Sequence, residues 1–186
     1  MKKSFFSFIA LLTFVILVVS FNPNATNAAE NTKGEDFELP RYYDSNNKEI
    51  FPYTKEEYIE KAKHAESYEK TQVSQSIGIL SVQQPRYYDT FGAASFQNFV
   101  WVNGGEVYRN PIYINMERIT RTTGMAVYFY NSSNAFQGKV VFPKYGNLWE
   151  AAPADHLTRN IFYKFKLVSE SGELAKVKHG NIAYDG

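Results

Sequence analysis

From residue 161 to residue 167 apolar and basic side chains alternate, with Ile161, Tyr163, Phe165 and Leu167 on one side and Lys164 and Lys166 on the other. Successive side chains of an extended chain point to opposite faces, so this run predicts a strand with one buried and one wet face. Ile112, Ile114 and Met116 alternate with Tyr113, Asn115 and Glu117 in the same way. Residues 125–130 and 139–142 are apolar on both faces, the pattern of central strands. Turn chemistry separates these runs at Asn103-Gly104-Gly105, Thr122-Thr123-Gly124, residues 131–134 and Ser171-Gly172. Short strands punctuated this often predict a mainly β fold of about seven or eight strands, an antiparallel β-sandwich or small barrel. The longest loop is expected over residues 143–159, where Pro143, Gly146 and Pro153 interrupt any continuous strand. Loop-borne contacts with a ligand would fall there.

Ahead of the strands, residues 30–75 are polar and charged. Thr54 followed by Glu57 forms a capping box before Tyr58, Ile59, Ala62 and Ala65, which predicts a helix over residues 55–70. Its apolar stripe is narrow and alanine-rich, so it is expected to pack weakly or stand partly free as an N-terminal extension to a β domain spanning 76–186. The segment Pro40-Arg41-Tyr42-Tyr43-Asp44 recurs as Pro85-Arg86-Tyr87-Tyr88-Asp89. The plain reading is an extended segment used twice, since proline sets its own φ and paired tyrosines suit a pleated strand. The sharper reading is that the first copy competes for the second copy's place along a sheet edge.

Residues 1–29 carry Lys2 and Lys3, an apolar stretch from Phe8 to Val19 broken only by Thr13, and a small-residue exit. These are the three parts of a secretory signal, with cleavage expected after Ala28 or Ala29. The stretch is shorter than the roughly 20 residues a spanning helix needs, and an uncleaved anchor is the alternative. The chain is expected outside the cell, free or associated with the wall. It has no cysteine, which removes lipid modification, disulfides, thiol catalysis and thiolate metal sites, and suits a Gram-positive-type export route. A mature chain of 157 residues is long enough to depend on its core alone.

Without Lys2 and Lys3, 18 basic side chains face 19 acidic ones. The basic residues are scattered, with a loose group at Arg109, Arg118 and Arg121, which argues against nucleic acid as a partner. This near-neutral balance neither favours nor excludes self-association. No Gly-x-Ser-x-Gly elbow, His-Glu-x-x-His helix or phosphate-cradling glycine loop occurs, and no cofactor or metal is expected. Asp44, Asn46 and Glu49 hint at a calcium loop, but Lys48 stands where an oxygen ligand is needed, so an Asx turn is the better reading. Asp155 beside His156, and the carboxylates Glu106, Glu117 and Glu150, are the remaining catalytic candidates.

Aromatic residues make up 17% of the chain, and most of them are expected to supply the core. Phe99 and Trp101 share a strand face opposite Val100 and Val102, and Tyr128 and Tyr130 lie opposite Val127 and Phe129. Core burial is the first reading for Phe99 and Trp101; exposure would make the set a platform for sugar rings, a peptide or a membrane surface. Trp149 in the long loop would extend such a surface. Half of Tyr42, Tyr43, Tyr87 and Tyr88 should be accessible, because neighbours on a strand face opposite ways. The leading expectation is a secreted, non-enzymatic β protein binding a glycan, peptide or protein partner through Phe99, Trp101, Tyr128, Tyr130, Trp149, Tyr87 and Tyr88. The alternatives are a membrane-active or antagonistic factor, and a hydrolase with an unrecognised carboxylate or histidine site.

Overall fold

The computed structural model describes residues 38–74, 87–144 and 149–186; the expected leader over 1–29 and the start of the second Pro-Arg-Tyr-Tyr-Asp copy lie outside them. The described elements are β1 (Arg41–Asp44), β2 (Glu49–Ile50), α1 (Lys55–Ser74), β3 (Tyr87–Phe91), β4 (Ala94–Phe96), β5 (Phe99–Trp101), β6 (Tyr108–Arg109), β7 (Pro111–Arg118), β8 (Met125–Asn131), β9 (Phe136–Val141), β10 (Trp149–Pro153), β11 (Phe162–Ser169) and β12 (Ala175–Tyr184). All strand pairs are antiparallel. They form a seven-stranded sheet in the order β2-β1-β9-β8-β11-β5, with β6 also on β11, and a five-stranded sheet in the order β10-β7-β12-β3, with β4 also on β12.

Among the described residues there are twelve strands, ten of them after the helix where seven or eight were expected, in two sheets that do not close into a barrel. The excess has local causes. Gly92 and Ala93 divide β3 from β4, a turn with Asn103 at φ 45° divides β5 from β6, and β1 and β2 come from the polar region before the helix. That region is not a separate extension. The described residues make one compact unit, with β1 paired between β2 and β9.

Period-two patterning translates directly into burial where only one face is covered. In β11 Tyr163, Phe165 and Leu167 are buried, while Lys164 and Lys166 reach the opposite face. One apolar cluster joins these side chains and Val127 and Phe129 of the larger sheet to Ile114, Met116 and Ile182 of the smaller one. The expectation of a wet face fails for β7, because Tyr113 and Asn115 are buried as fully as Ile114 and Met116. The cause is α1, which buries Tyr58 and Ala65 and packs against β7 and β10. Its capping box forms, with Glu57 N–H donating to Thr54 Oγ1 at 3.2 Å and Thr54 N–H donating to Glu57 Oε2 at 2.8 Å. Asn115 Nδ2 donates to the Ala65 carbonyl at 3.1 Å, and Tyr58 Oη donates to the Ala151 carbonyl at 2.9 Å. Small residues in the helix stripe mark close docking here. Among the described residues no helix is long and apolar enough to cross a membrane.

The two Tyr-Tyr-Asp copies take different places. The first is an internal strand, β1, with Asp44 Oδ1 accepting the N–H groups of Asn46 and Lys48, both at 2.9 Å, in an Asx turn. The second is β3, which pairs with β12, and there Asp89 Oδ2 accepts Tyr108 Oη–H at 2.9 Å and Asn103 Nδ2–H at 3.0 Å. The tyrosines divide as strand geometry demands: Tyr42 is buried and Tyr87 is 49% exposed, with Tyr43 and Tyr88 between.

Strand packing makes Gly180 an informative position. A Cβ built there would lie 2.4 Å from the Asn115 carbonyl oxygen and 2.1 Å from the Phe91 ring. Gly180→Ala is expected to cost about 1–3 kcal/mol by forcing β12 away from β7. Urea denaturation checks it, and an unchanged midpoint would mean that the strands have slack.

Candidate functional site

The outer face of the larger sheet carries an ordered row of side chains. Directly opposed residues on neighbouring strands point the same way, so register alone defines it. Trp101 of β5 lies opposite Lys166 of β11, Lys166 opposite Tyr128 of β8, Tyr128 opposite Lys139 of β9, and Lys139 opposite Tyr43 of β1. Rings and ammonium groups thus alternate across five strands, a span of about 19 Å at the usual strand spacing.

The contacts along the row are cation–π contacts. Lys139 Nζ stands 4.9 Å from the Tyr43 ring centroid and 5.4 Å from that of Tyr128. Lys166 Nζ is 4.5 Å from Phe99, 4.3 Å from Trp101 and 4.5 Å from Tyr130. Glu170 anchors the middle of the row by accepting Tyr128 Oη–H at 2.6 Å and Lys139 Nζ–H at 2.5 Å. Burial, and then the neighbouring Glu170 carboxylate, push the Tyr128 phenol well above its ordinary pKa, so it stays a neutral donor.

Phe99 is 53% exposed, and Trp101, Tyr128 and Tyr130 are half-buried; the core reading of Phe99 and Trp101 is therefore corrected. The reason lies in β5 and the turn after it, where Val100 packs against the core and Val102 turns inward at 3% exposure, leaving the rings of the opposite parity outside. Phe136 joins the face unforeseen. The register between β8 and β9 slips between Phe129 and Tyr130, so that Tyr130 faces Phe136 instead of Gln137. That bulge, with Gly138 at φ 141° and a would-be Cβ only 2.5 Å from the Tyr43 carbonyl oxygen, turns Phe136 outward. Its ring centroid sits 5.4 Å from Tyr128 and 5.7 Å from Tyr130. Gly138 between two β-prone stretches was the available signal.

No family model and no curated protein matches this chain.

The other aromatics singled out by sequence lie in the smaller sheet. Trp149 opens β10 in place of the expected loop, opposite Glu117 and 6.2 Å from the His179 ring. Tyr87 stacks on Tyr184 at 5.4 Å, and Tyr88 packs against the cluster of Ala65, Tyr113, Ala151 and Ala183. None of the three extends the row.

The catalytic candidates are held in separate pairs. Glu117 and Glu150 sit opposite Trp149 and Met116, consecutive pairings whose side chains point to opposite faces. Glu150 accepts a hydrogen bond from the Arg118 guanidinium in the interior, and Arg118 also donates to the Pro143 carbonyl at 3.1 Å. Burial pushes Glu150 up to about 8 against the pull of Arg118. Glu117 is bridged by Lys178 and His179, each at 3.0 Å, and Lys178 first of all holds its carboxyl below the usual range.

Asp155 and His156 do converge, contrary to the rule that neighbours diverge, because both meet the Tyr53 hydroxyl. Tyr53 Oη donates to Asp155 Oδ1 at 2.6 Å and lies 2.9 Å from His156 Nδ1, and Lys61 Nζ donates to Asp155 Oδ2 at 2.6 Å. Burial raises the Tyr53 phenol far above its ordinary value, and the Asp155 carboxylate raises it further. A hydroxyl so reluctant to ionise is a poor nucleophile. The arrangement links the segment leading into α1 to the chain after β10.

Proposed function

We propose that this chain is an exported, non-enzymatic β-sandwich protein that binds an anionic glycan across the outer face of its seven-stranded sheet. The observation that carries the reading is the alternating row Trp101, Lys166, Tyr128, Lys139 and Tyr43. Rings offer apolar faces to the C–H faces of sugars, and ammonium groups between them offer partners to carboxylate or phosphate substituents. Lys164 of the same face adds a further cation. An extended polymer crossing the strands would meet ring and charge in turn.

A glycan is favoured over a peptide by the position of the row. Extended peptides bind sheets at open edges, where unpaired backbone groups are free to continue the ladder. Here β11, β8, β9 and β1 are each paired on both sides, so their backbone groups are engaged and recognition falls to side chains. The sandwich reading rests on the single apolar cluster that draws side chains from both sheets. The non-enzymatic reading rests on the separate structural pairings of Glu117, Glu150 and His156.

Titration calorimetry with polygalacturonate, with dextran as the neutral counterpart, tests the proposal. Polygalacturonate is expected to bind and dextran to bind at least about tenfold more weakly, with Trp101→Ala and Lys139→Gln each reducing affinity by about tenfold. Absence of polygalacturonate binding, or equal binding by both variants, would overturn it. Dye release from anionic phospholipid vesicles without glycan binding would favour the membrane-active alternative.

A further inference from the structure

We infer that Phe99, Trp101 and Tyr130 form a cage for a quaternary ammonium group, which Lys166 occupies as the protein's own placeholder. The inference rests on reading this face as a binding face and adds to it a second ligand chemistry. Three ring centroids lie 4.3–4.5 Å from one nitrogen, which is the arrangement by which aromatic cages recognise alkylated ammonium ions. The rings come from β5 and β8 and flank Lys166 on β11, so the sheet holds them in place whether or not the lysine is present. Trp101 and Tyr130 also brace each other edge to face at 5.3 Å.

What the cage holds is less than ideally matched to it. Among the described residues no carboxylate pairs with Lys166, and its closest polar contact is Tyr130 Oη at 3.5 Å, too long for a good hydrogen bond. A primary ammonium carries three N–H donors and is strongly hydrated, so a site of ring faces leaves much of its hydrogen-bonding capacity unmet. A quaternary ammonium has no N–H to satisfy. It takes the same electrostatic attraction from the ring faces and gives up a weaker hydration shell. Phe99, 53% exposed, stands at the open rim, from which the flexible lysine can return to water. An anionic polymer bearing quaternary ammonium substituents would engage the cage and the remaining lysines together.

Choline chloride is the probe, titrated against the full chain carrying Trp149→Phe so that fluorescence reports on Trp101 alone. Saturable change in emission is expected for this protein, with ethanolamine weaker, and Lys166→Ala is expected to bind choline about tenfold more tightly because the competitor is gone. Lys166→Thr, which suits a strand, replaces alanine if that variant does not fold. A flat titration of the protein with Lys166 intact, or a folded Lys166 variant that binds no better, would overturn the inference. Polygalacturonate binding without choline binding removes the cage alone, whereas choline binding without polygalacturonate binding removes the glycan reading and leaves the cage.

Discussion

Glu150→Ala is expected to lower the unfolding free energy by about 3–5 kcal/mol, because it removes the carboxyl that accepts from the buried Arg118 guanidinium. Arg118 is 2% exposed and Glu150 4%, so water does not replace the lost carboxyl. The Pro143 carbonyl, which accepts from Arg118 at 3.1 Å, is a neutral acceptor and does not replace the carboxylate's charge. Glu150→Gln separates charge from hydrogen bonding. Glutamine keeps an oxygen acceptor for the Arg118 guanidinium but not the charge, so it is expected to cost less than alanine. Urea denaturation of the two variants decides the matter; an alanine variant as stable as the parent would mean that the pair contributes nothing.

Acid is expected to weaken the fold through His156 by a further large amount. The imidazole lies among Tyr42, Tyr53 and Phe129, with ring centroids at 5.3, 5.6 and 6.2 Å. Burial pushes its pKa down from 6.5 to about 4, against the opposing pull of Asp155. A depressed value in the folded state means that the unfolded chain takes up the proton first. The stabilisation is therefore complete above pH 6.5 and is lost as pH falls towards and through 4, by about 2–3 kcal/mol. Asp155 acts in the same direction at lower pH, since its hydrogen bonds to Lys61 and Tyr53 outweigh its burial and hold its carboxyl below the usual range. Thermal unfolding at pH 7, 5.5 and 4 should show the loss in the parent and a shallower slope in His156→Asn, whose amide keeps a polar partner near Tyr53. An equally steep slope in the variant would assign the acid sensitivity elsewhere.

Both effects concern residues that a sequence lists as candidates for chemistry and that the fold uses for cohesion. Glu150 looked like a free carboxylate, and its partner Arg118 looked like part of a scattered basic surface. Nothing local distinguishes them, because the pair forms only when β10 docks beside β7. Tyr53 likewise gave no sign of meeting Asp155 and His156, more than a hundred positions away. By contrast, the aromatic set was half legible. Phe99, Trp101, Tyr128 and Tyr130 were recognisable as sharing strand faces, but parity says which residues stand together and not which side the core takes. Phe136 was hidden by the bulge at Gly138, which shifts the parity of its strand by one.

The sequence by itself determined the character of the elements: strands where side chains alternate, a helix opened by the Thr54 and Glu57 box, and turns at Asn-Gly and Ser-Gly. These follow from interactions within a few residues, which the chain order records. Only the tertiary structure decided which faces are buried, that the polar segment before the helix supplies two strands of the larger sheet, and that α1 covers the second face of β7. Those outcomes depend on pairings between residues distant along the chain, and an alanine stripe or a short tyrosine strand carries no local mark of the surface it will meet. The row of rings and lysines is of the same kind. Its members come from five strands, and only the register of the assembled sheet makes them neighbours.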